Sequence, residues 1–153
     1  MSTSQFTLIT DRGGHLHNAL MLVEQMGASP THLITTHGPD VPELKTRFPK
    51  TDIYSVTHLA TWVGKKRFWN PVKFVYHFAQ TLVLAARIRP RKVISFGAAN
   101  VVPFCYWAWL FGAEIIHVEC MNQVFNRSIT GRLLYPICTK LYVQWKELLH
   151  RYG

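Results

Sequence analysis

Short apolar runs alternate with longer helical stretches along the whole chain, and this alternation limits the fold more than any single motif. Strands are expected at 5–10, 32–36, 52–56, 92–96, 114–118 and 141–143. Between them fall a helix at 15–26, one or two helical turns at 43–48, a helix at 71–88, another around 104–111 and one at 129–138, with a terminal helix at 146–151. In the first helix Leu16, Ala19, Leu20, Val23 and Met26 recur at three and four residues, so one face is apolar. The helix opened by Pro71 has its own apolar face of Val72, Val75, Ala79, Leu82, Val83 and Ala86, widened by Phe74, Phe78 and Leu84. Strands that take turns with helices build a mostly parallel sheet covered on both sides. The expected class is therefore α/β, a Rossmann-like sheet with helices on both faces, in a single domain over 1–153. Ligands on such sheets bind beyond the carboxyl ends of the strands, near the reversal of strand order. The loops at Gly13, His37, Gly97 and Glu119 all fall on that edge.

A chain of 153 residues, 48% of them hydrophobic, can bury one real core. Its net charge of +9 favours an anionic partner, and nucleic acid and anionic lipid both carry that sign. No basic arm, RNA-binding signature or helix-turn-helix appears, so no nucleic acid is expected. Cys105, Cys120 and Cys138 are odd in number and lack paired spacing, which reads as free core thiols in a reducing compartment. His37 and His117 have no metal-ligand spacing, so neither a metal nor a cofactor is expected. The opening residues lack the basic-then-apolar pattern of a signal peptide, and a cytoplasmic location is expected. The stretch 93–113 is uncharged and long enough to cross a bilayer. Ser95, Gly97, Asn100, Pro103 and Gly112 interrupt it, and a strand, a glycine turn and a helix account for the same letters.

Two stretches carry chemistry. In the first, the opening strand runs through Asp11-Arg12 into Gly13-Gly14-His15-Leu16. Gly13 and Gly14 can take φ values that a Cβ forbids, and the following helix start offers unpaired amides and partial positive charge to a phosphate or diphosphate. His15 stands there as a proton carrier or phosphate donor. The same letters also fit a tight strand–helix turn with no ligand, because the full dinucleotide or P-loop spacing is missing. The second stretch interleaves Lys65, Lys66 and Arg67 with Trp62, Phe68 and Trp69, then adds Lys73, Phe74 and Phe78. Each such cation contributes about 1 kcal/mol near an anionic lipid surface, and the aromatic rings can enter the headgroup boundary. A basic aromatic excursion at about 61–88 facing a membrane is expected, the alternative being a solvated loop before a core helix.

The second half carries a resemblance. Ile94-Ser95-Phe96-Gly97-Ala98-Ala99-Asn100 resembles the second glycine loop of certain glycosyltransferases. Ile115-Ile116-His117-Val118-Glu119-Cys120, then Ser128-Ile129-Thr130-Gly131-Arg132-Leu133-Leu134-Tyr135-Pro136, then Leu141-Tyr142-Val143-Gln144-Trp145 follow in order. With Gly13-Gly14-His15-Leu16, the chain resembles the acceptor-side subunit of split N-acetylglucosaminyltransferases. That family comprises the asparagine-linked-glycosylation protein fourteen group and its bacterial exopolysaccharide and capsule counterparts. It is also similar to the N-terminal domain of the peptidoglycan lipid-intermediate transferase.

The resemblance implies the N-terminal half of a GT-B glycosyltransferase, peripherally bound to the cytoplasmic face of the membrane. Such a half holds a lipid-diphosphate-linked sugar acceptor. A donor-binding glycosyltransferase subunit on another chain brings most of the UDP-sugar. Carried over by residue, Gly13, Gly14 and His15 face the diphosphate or the forming bond, and Gly97 and Asn100 make the opposing turn. Glu119 lies in the cleft, taking a proton from the attacking hydroxyl or holding the acceptor sugar. Ser128, Thr130 and Gly131 open the next helix, and Arg132 supports an anion. Asp11-Arg12 departs from the small residues usual before the glycines and sets a negative charge by the phosphate site. The membrane anchor of eukaryotic relatives is not seen in these letters. Plainer roles stay open: His15 in a first helical turn, Glu119 on the surface or paired with Arg127, Ser128–Gly131 as a helix cap. A self-sufficient nucleotide-binding enzyme and a non-catalytic scaffold are the alternative functions.

Overall fold

The computed structural model describes residues 5–63 and 66–152, and for 60–63 and 66–69 the description is of the backbone alone. The elements run β1 (Thr7–Thr10), α1 (Gly14–Gln25), β2 (His32–Thr36), α2 (Val41–Arg47), β3 (Asp52–Val56), β4 (Ala60–Val63), β5 (Lys66–Trp69), α3 (Pro71–Ile88), β6 (Lys92–Phe96), α4 (Val102–Leu110), β7 (Glu114–Val118), α5 (Ile129–Leu134), β8 (Lys140–Tyr142) and α6 (Lys146–Tyr152). Short 3-10 turns at Ala99–Val101 and Tyr135–Ile137 lead into α4 and out of α5.

Six strands form one parallel sheet in the order β3-β2-β1-β6-β7-β8. The chain steps outward from β1 to β3, crosses back, and steps outward again from β6 to β8. The reversal therefore lies between β1 and β6, where Thr7 pairs with Val93 and Thr10 with Phe96. Strand side chains alternate between faces. Leu8, Leu33 and Ile94 pack with Leu16, Ala19, Leu20 and Val23 of α1. Ile9, Ile34, Val93 and Ile115 pack on the opposite face with Ala85 of α3 and Phe104, Cys105 and Ala108 of α4. The expected two-faced α/β layer is thus built as the alternation required. Among the described residues no helix is long and apolar enough to cross a membrane. The uncharged 93–113 stretch is most of β6, a 3-10 turn, α4 and the turn that leads into β7.

The structure adds two local features to the sequence-based expectation. Within the stretch 61–70, expected to be less regular, residues 61–63 and 66–69 join Ala60 in an antiparallel pair in which Ala60 faces Trp69 and Val63 faces Lys66. The β-branched and aromatic residues there suit a strand. Of the membrane residues expected in it, Lys65 lies outside the described residues, as do the side chains of Trp62, Lys66, Arg67, Phe68 and Trp69.

The second feature is the facing of α3, for which a membrane-facing stretch and a core helix were the two expectations. Asn70 caps it, its Oδ1 accepting from the Val72 and Lys73 amides at 3.0 and 3.3 Å. Its buried residues are His77, Thr81 and Ala85, at four-residue spacing. The apolar face is turned outward, with Val72, Val75, Tyr76 and Val83 all more than half exposed. The polar side chains turn inward because they have partners there. His77 Nε2 meets the Asn100 carbonyl at 2.9 Å, His77 Nδ1 the Thr57 carbonyl, and Thr81 donates to the His77 carbonyl at 2.8 Å. Burial holds His77 below its ordinary value of 6.5, against those two carbonyls and the Asp11 charge, which act the other way.

Candidate functional site

The carboxyl ends of β1, β6 and β7 meet at the reversal point. After β1 the chain turns at Gly13, whose φ of +72° and ψ of −135° suit glycine alone. The twelve-residue α1 begins at Gly14 with no side-chain cap and no acidic residue in its first turn. Gly13 and Gly14 are exposed, and a Cβ on either would meet nothing within 4 Å, so their Cα atoms border open space. After β6 the chain turns at Gly97, with φ of +98°, and the His15 ring lies directly over it. A Cβ there would fall 2.5 Å from His15 Cγ and Nδ1. His15 Nδ1 also lies 2.9 Å from Cys120 Sγ, just past β7. One imidazole thus ties together the loops after three strands.

Asp11, the residue that departed from the usual small ones, turns inward. Its Oδ1 accepts from Thr36 Oγ1 at 2.7 Å and the Arg12 amide at 2.9 Å, and its Oδ2 from Asn100 Nδ2 at 2.6 Å. His58 Nε2 lies 3.4 Å from the same oxygen. The charge beside the glycines is therefore engaged by donors below them. Arg12 points elsewhere, donating to Asp40 at 3.0 Å and the His37 carbonyl at 3.1 Å. Asn100, expected in the opposing turn, is found there, but its side chain is buried and fully engaged. Beyond Asp11, its Oδ1 accepts from the Leu59 amide at 2.9 Å.

Glu119 follows β7 and is fully buried. Its Oε2 takes a bond from His117 Nε2 at 3.1 Å, and its Oε1 one from the Ser128 amide at 2.7 Å. Ser95 Oγ lies 3.2 Å from His117 Nδ1, so a neutral imidazole satisfies both neighbours. Burial pushes the Glu119 carboxyl up, but the bonds from His117 and Ser128 outweigh it and hold the carboxyl below its ordinary 4.5. Arg127 does not pair with it, its guanidinium sitting 5.1 Å over the Tyr152 ring. Ser128 caps α5, its Oγ accepting from the Gly131 amide at 2.8 Å. A Cβ on Gly131 would strike the Tyr152 hydroxyl and Glu119 Oε2, so packing explains that glycine. Thr130 is buried, and Arg132 is exposed on α5.

Beside the glycine loops lies an apolar groove of about 490 Å3 between α3 and α4. Leu59 and Ala99 line its inner end, and Phe74, Phe78, Trp107 and Leu133 its walls. The Phe78 and Trp107 rings are 4.7 Å apart, and Phe74 and Phe78 stack at 6.1 Å. Sequence reasoning takes Cys120 for a core thiol and His117 for a histidine without metal-ligand spacing, and does not single out His77. For His117 a signal existed, since residues two apart in a strand share a face. Among the described residues no group of His, Cys, Asp and Glu is disposed to hold a metal.

The six-stranded parallel sheet, with helices on both faces and a glycine turn at its reversal point, has the architecture of the N-terminal half of a GT-B fold. MurG of Acinetobacter baumannii superposes on 90% of this chain with a TM-score of 0.64 at 18% identity, and this chain spans only 40% of MurG. The UDP-GlcNAc 2-epimerase of Methanocaldococcus jannaschii superposes on 96%, with a TM-score of 0.63 at 14% identity and 42% of its own length covered. The chain belongs to the family described as oligosaccharide biosynthesis protein Alg14 like, whose model matches residues 7–153. Its relatives include the UDP-N-acetylglucosamine transferase subunit ALG14 of Yarrowia lipolytica, 24% identical over 99% of this chain and 78% of the relative. The subunit of the same name from Mus musculus is 23% identical over 95% of this chain and 77% of the relative.

Proposed function

We propose that this chain is the acceptor-binding and membrane-recruiting subunit of a two-chain glycosyltransferase. Its reaction is attack of an acceptor-sugar hydroxyl on the anomeric carbon of a UDP-sugar, UDP-N-acetylglucosamine by the names of its relatives. The acceptor is a saccharide on a lipid diphosphate. One juxtaposition carries this reading: the Gly97 turn holds His15 from the start of α1 on one side and leads through Ala99 into a groove lined by apolar side chains on the other. The amides at the start of α1 suit the diphosphate, and the groove suits the first part of its lipid chain. Leu59 and Ala99 join the two, because each lines the groove while Leu59 bonds Asn100 and Ala99 opens the turn after Gly97. In this reading Gly13, Gly14 and His15 contact the diphosphate. Gly97 supports His15, and Arg132 remains available to an anion from the partner side. Asn100, Glu119, Ser128, Thr130 and Gly131 act as positioning residues, since their polar groups or their space are already used within the fold.

A donor-binding partner is proposed because the relatives are named as subunits of a transferase and GT-B chemistry needs both halves. The decisive test is reconstitution. This chain and a donor-binding subunit, mixed with UDP-N-acetylglucosamine and a polyprenyl-diphosphate sugar, should give transfer that neither supports alone. Undiminished transfer by this chain alone would replace the reading with that of a self-sufficient enzyme.

The outward apolar face of α3 is proposed to lie on the cytoplasmic membrane surface. That helix has no acidic residue and carries Lys73 and Arg87, the signs an anionic leaflet attracts. Val75 and Val83 are 67% and 66% exposed. Replacing both with aspartate should cut sedimentation with anionic liposomes about tenfold or more, by removing apolar burial and adding repulsion. Unfolding should barely change, because exposed substitutions usually stay within about 0.5 kcal/mol. Full pelleting of the double variant would assign the contact to another surface.

A further inference from the structure

We propose that Cys120 is a positioning residue that fixes the tautomer of His15, with the ring proton on Nε2. The two side chains come from loops 105 residues apart, and their Sγ–Nδ1 separation is 2.9 Å. Gly97 backs the same ring, so the imidazole is pinned between a bare Cα and a thiol. Direction follows from donor and acceptor strength. A thiol sulfur is a weak acceptor, whereas the lone pair of a neutral imidazole is a good one. The favourable arrangement is S–H donating to Nδ1. The thiol keeps its proton at neutral pH, since burial and the Glu119 carboxylate push it up to about 11. With Nδ1 accepting, the one ring proton of neutral His15 sits on Nε2. The far edge of the ring is then an N–H donor.

The consequence rests on the diphosphate reading above. A neutral His15 in this tautomer offers a hydrogen bond to a diphosphate oxygen. It has no free lone pair with which to take a proton from a sugar hydroxyl. His15 is therefore assigned to anion recognition, and Cys120 acts through it without touching substrate.

The test is nitrogen NMR of the whole protein labelled in its histidines, at about pH 8 so that an ordinary imidazole is neutral. His15→Gln identifies the His15 signals by their loss. The expected wild-type pattern is a bare Nδ1 and a protonated Nε2. Cys120→Ser, which keeps a donor, should preserve it, while Cys120→Val should move both signals toward the average of the two tautomers. A protonated Nδ1 in the wild type would overturn the proposal without any variant, and so would an unmoved pattern in a folded Cys120→Val. Inorganic diphosphate is then titrated into the same samples. It should shift the Nε2 signal and bind about twofold more weakly to Cys120→Val, where the Nε2–H tautomer is populated only about half the time. If the tautomer is as stated but diphosphate leaves Nε2 unmoved, the positioning role stands and the diphosphate reading of His15 falls.

Discussion

Glu119→Ala is expected to lower the stability of the fold by about 2–6 kcal/mol, since two buried donors each lose their acceptor at about 1–3 kcal/mol apiece. Urea unfolding followed by circular dichroism would read it. The carboxylate is fully buried and holds the end of β7 to the start of α5, through His117 and the Ser128 amide. Alanine leaves both donors in a dry interior, and an unmade buried bond costs more than a made one contributes. Glu119→Gln should cost less, about 1–3 kcal/mol, since its carbonyl keeps one donor while its amide faces the other. The pH dependence has a definite sign. The folded carboxyl is held below its ordinary 4.5, so its contribution is present above that value and is lost as pH falls through the folded one. The gap between wild type and Glu119→Gln should therefore narrow on acidification. A folded Glu119→Ala with a loss under about 1 kcal/mol would show that the carboxylate is not the tie between these segments.

The sheet was legible in the letters because its strands are short, apolar and separated by unmistakable turns. Residues 32–36, 52–56, 92–96 and 114–118 are strands to the residue. The facing of α3 was not, and the reason is physical. Periodicity shows that Val72, Val75, Ala79 and Val83 share a face, but not whether protein or something else covers it. His77 and Thr81 decide the matter by bonding inside the fold, to carbonyls contributed by distant residues as well as by α3 itself. Glycine was equally ambiguous. Gly13, Gly97 and Gly131 looked alike as candidates for ligand approach, yet Gly131 makes room for Tyr152 and Glu119 while Gly13 borders open space. The Asp11 carboxylate looked like an obstacle to anion binding because three of its four neighbours, Thr36, His58 and Asn100, come from separate parts of the chain. Contacts of that kind depend on the tertiary fold and leave no spacing to read.

Gly97→Ala separates backbone strain from site geometry, and its largest effect is expected on transfer rather than on folding. Alanine at φ +98° pays about 1–3 kcal/mol of strain. Gly112→Ala pays a similar amount, because its φ is +89°, but its Cβ meets nothing within 4 Å. Gly97→Ala should unfold at a somewhat lower urea concentration than Gly112→Ala, because the displacement of His15 adds to the shared strain. They differ in what the new methyl group meets. At Gly97 it would sit 2.5 Å from the His15 ring, which must leave its seat and give up the 2.9 Å contact with Cys120. Misplacing a reactive group by about 1 Å can cost on the order of 100-fold in rate. Transfer by the reconstituted pair should fall by about that factor for Gly97→Ala and stay near wild type for Gly112→Ala. Equal activity in the two variants would mean that the imidazole over Gly97 is packing alone, and the site would have to be sought elsewhere along the sheet edge.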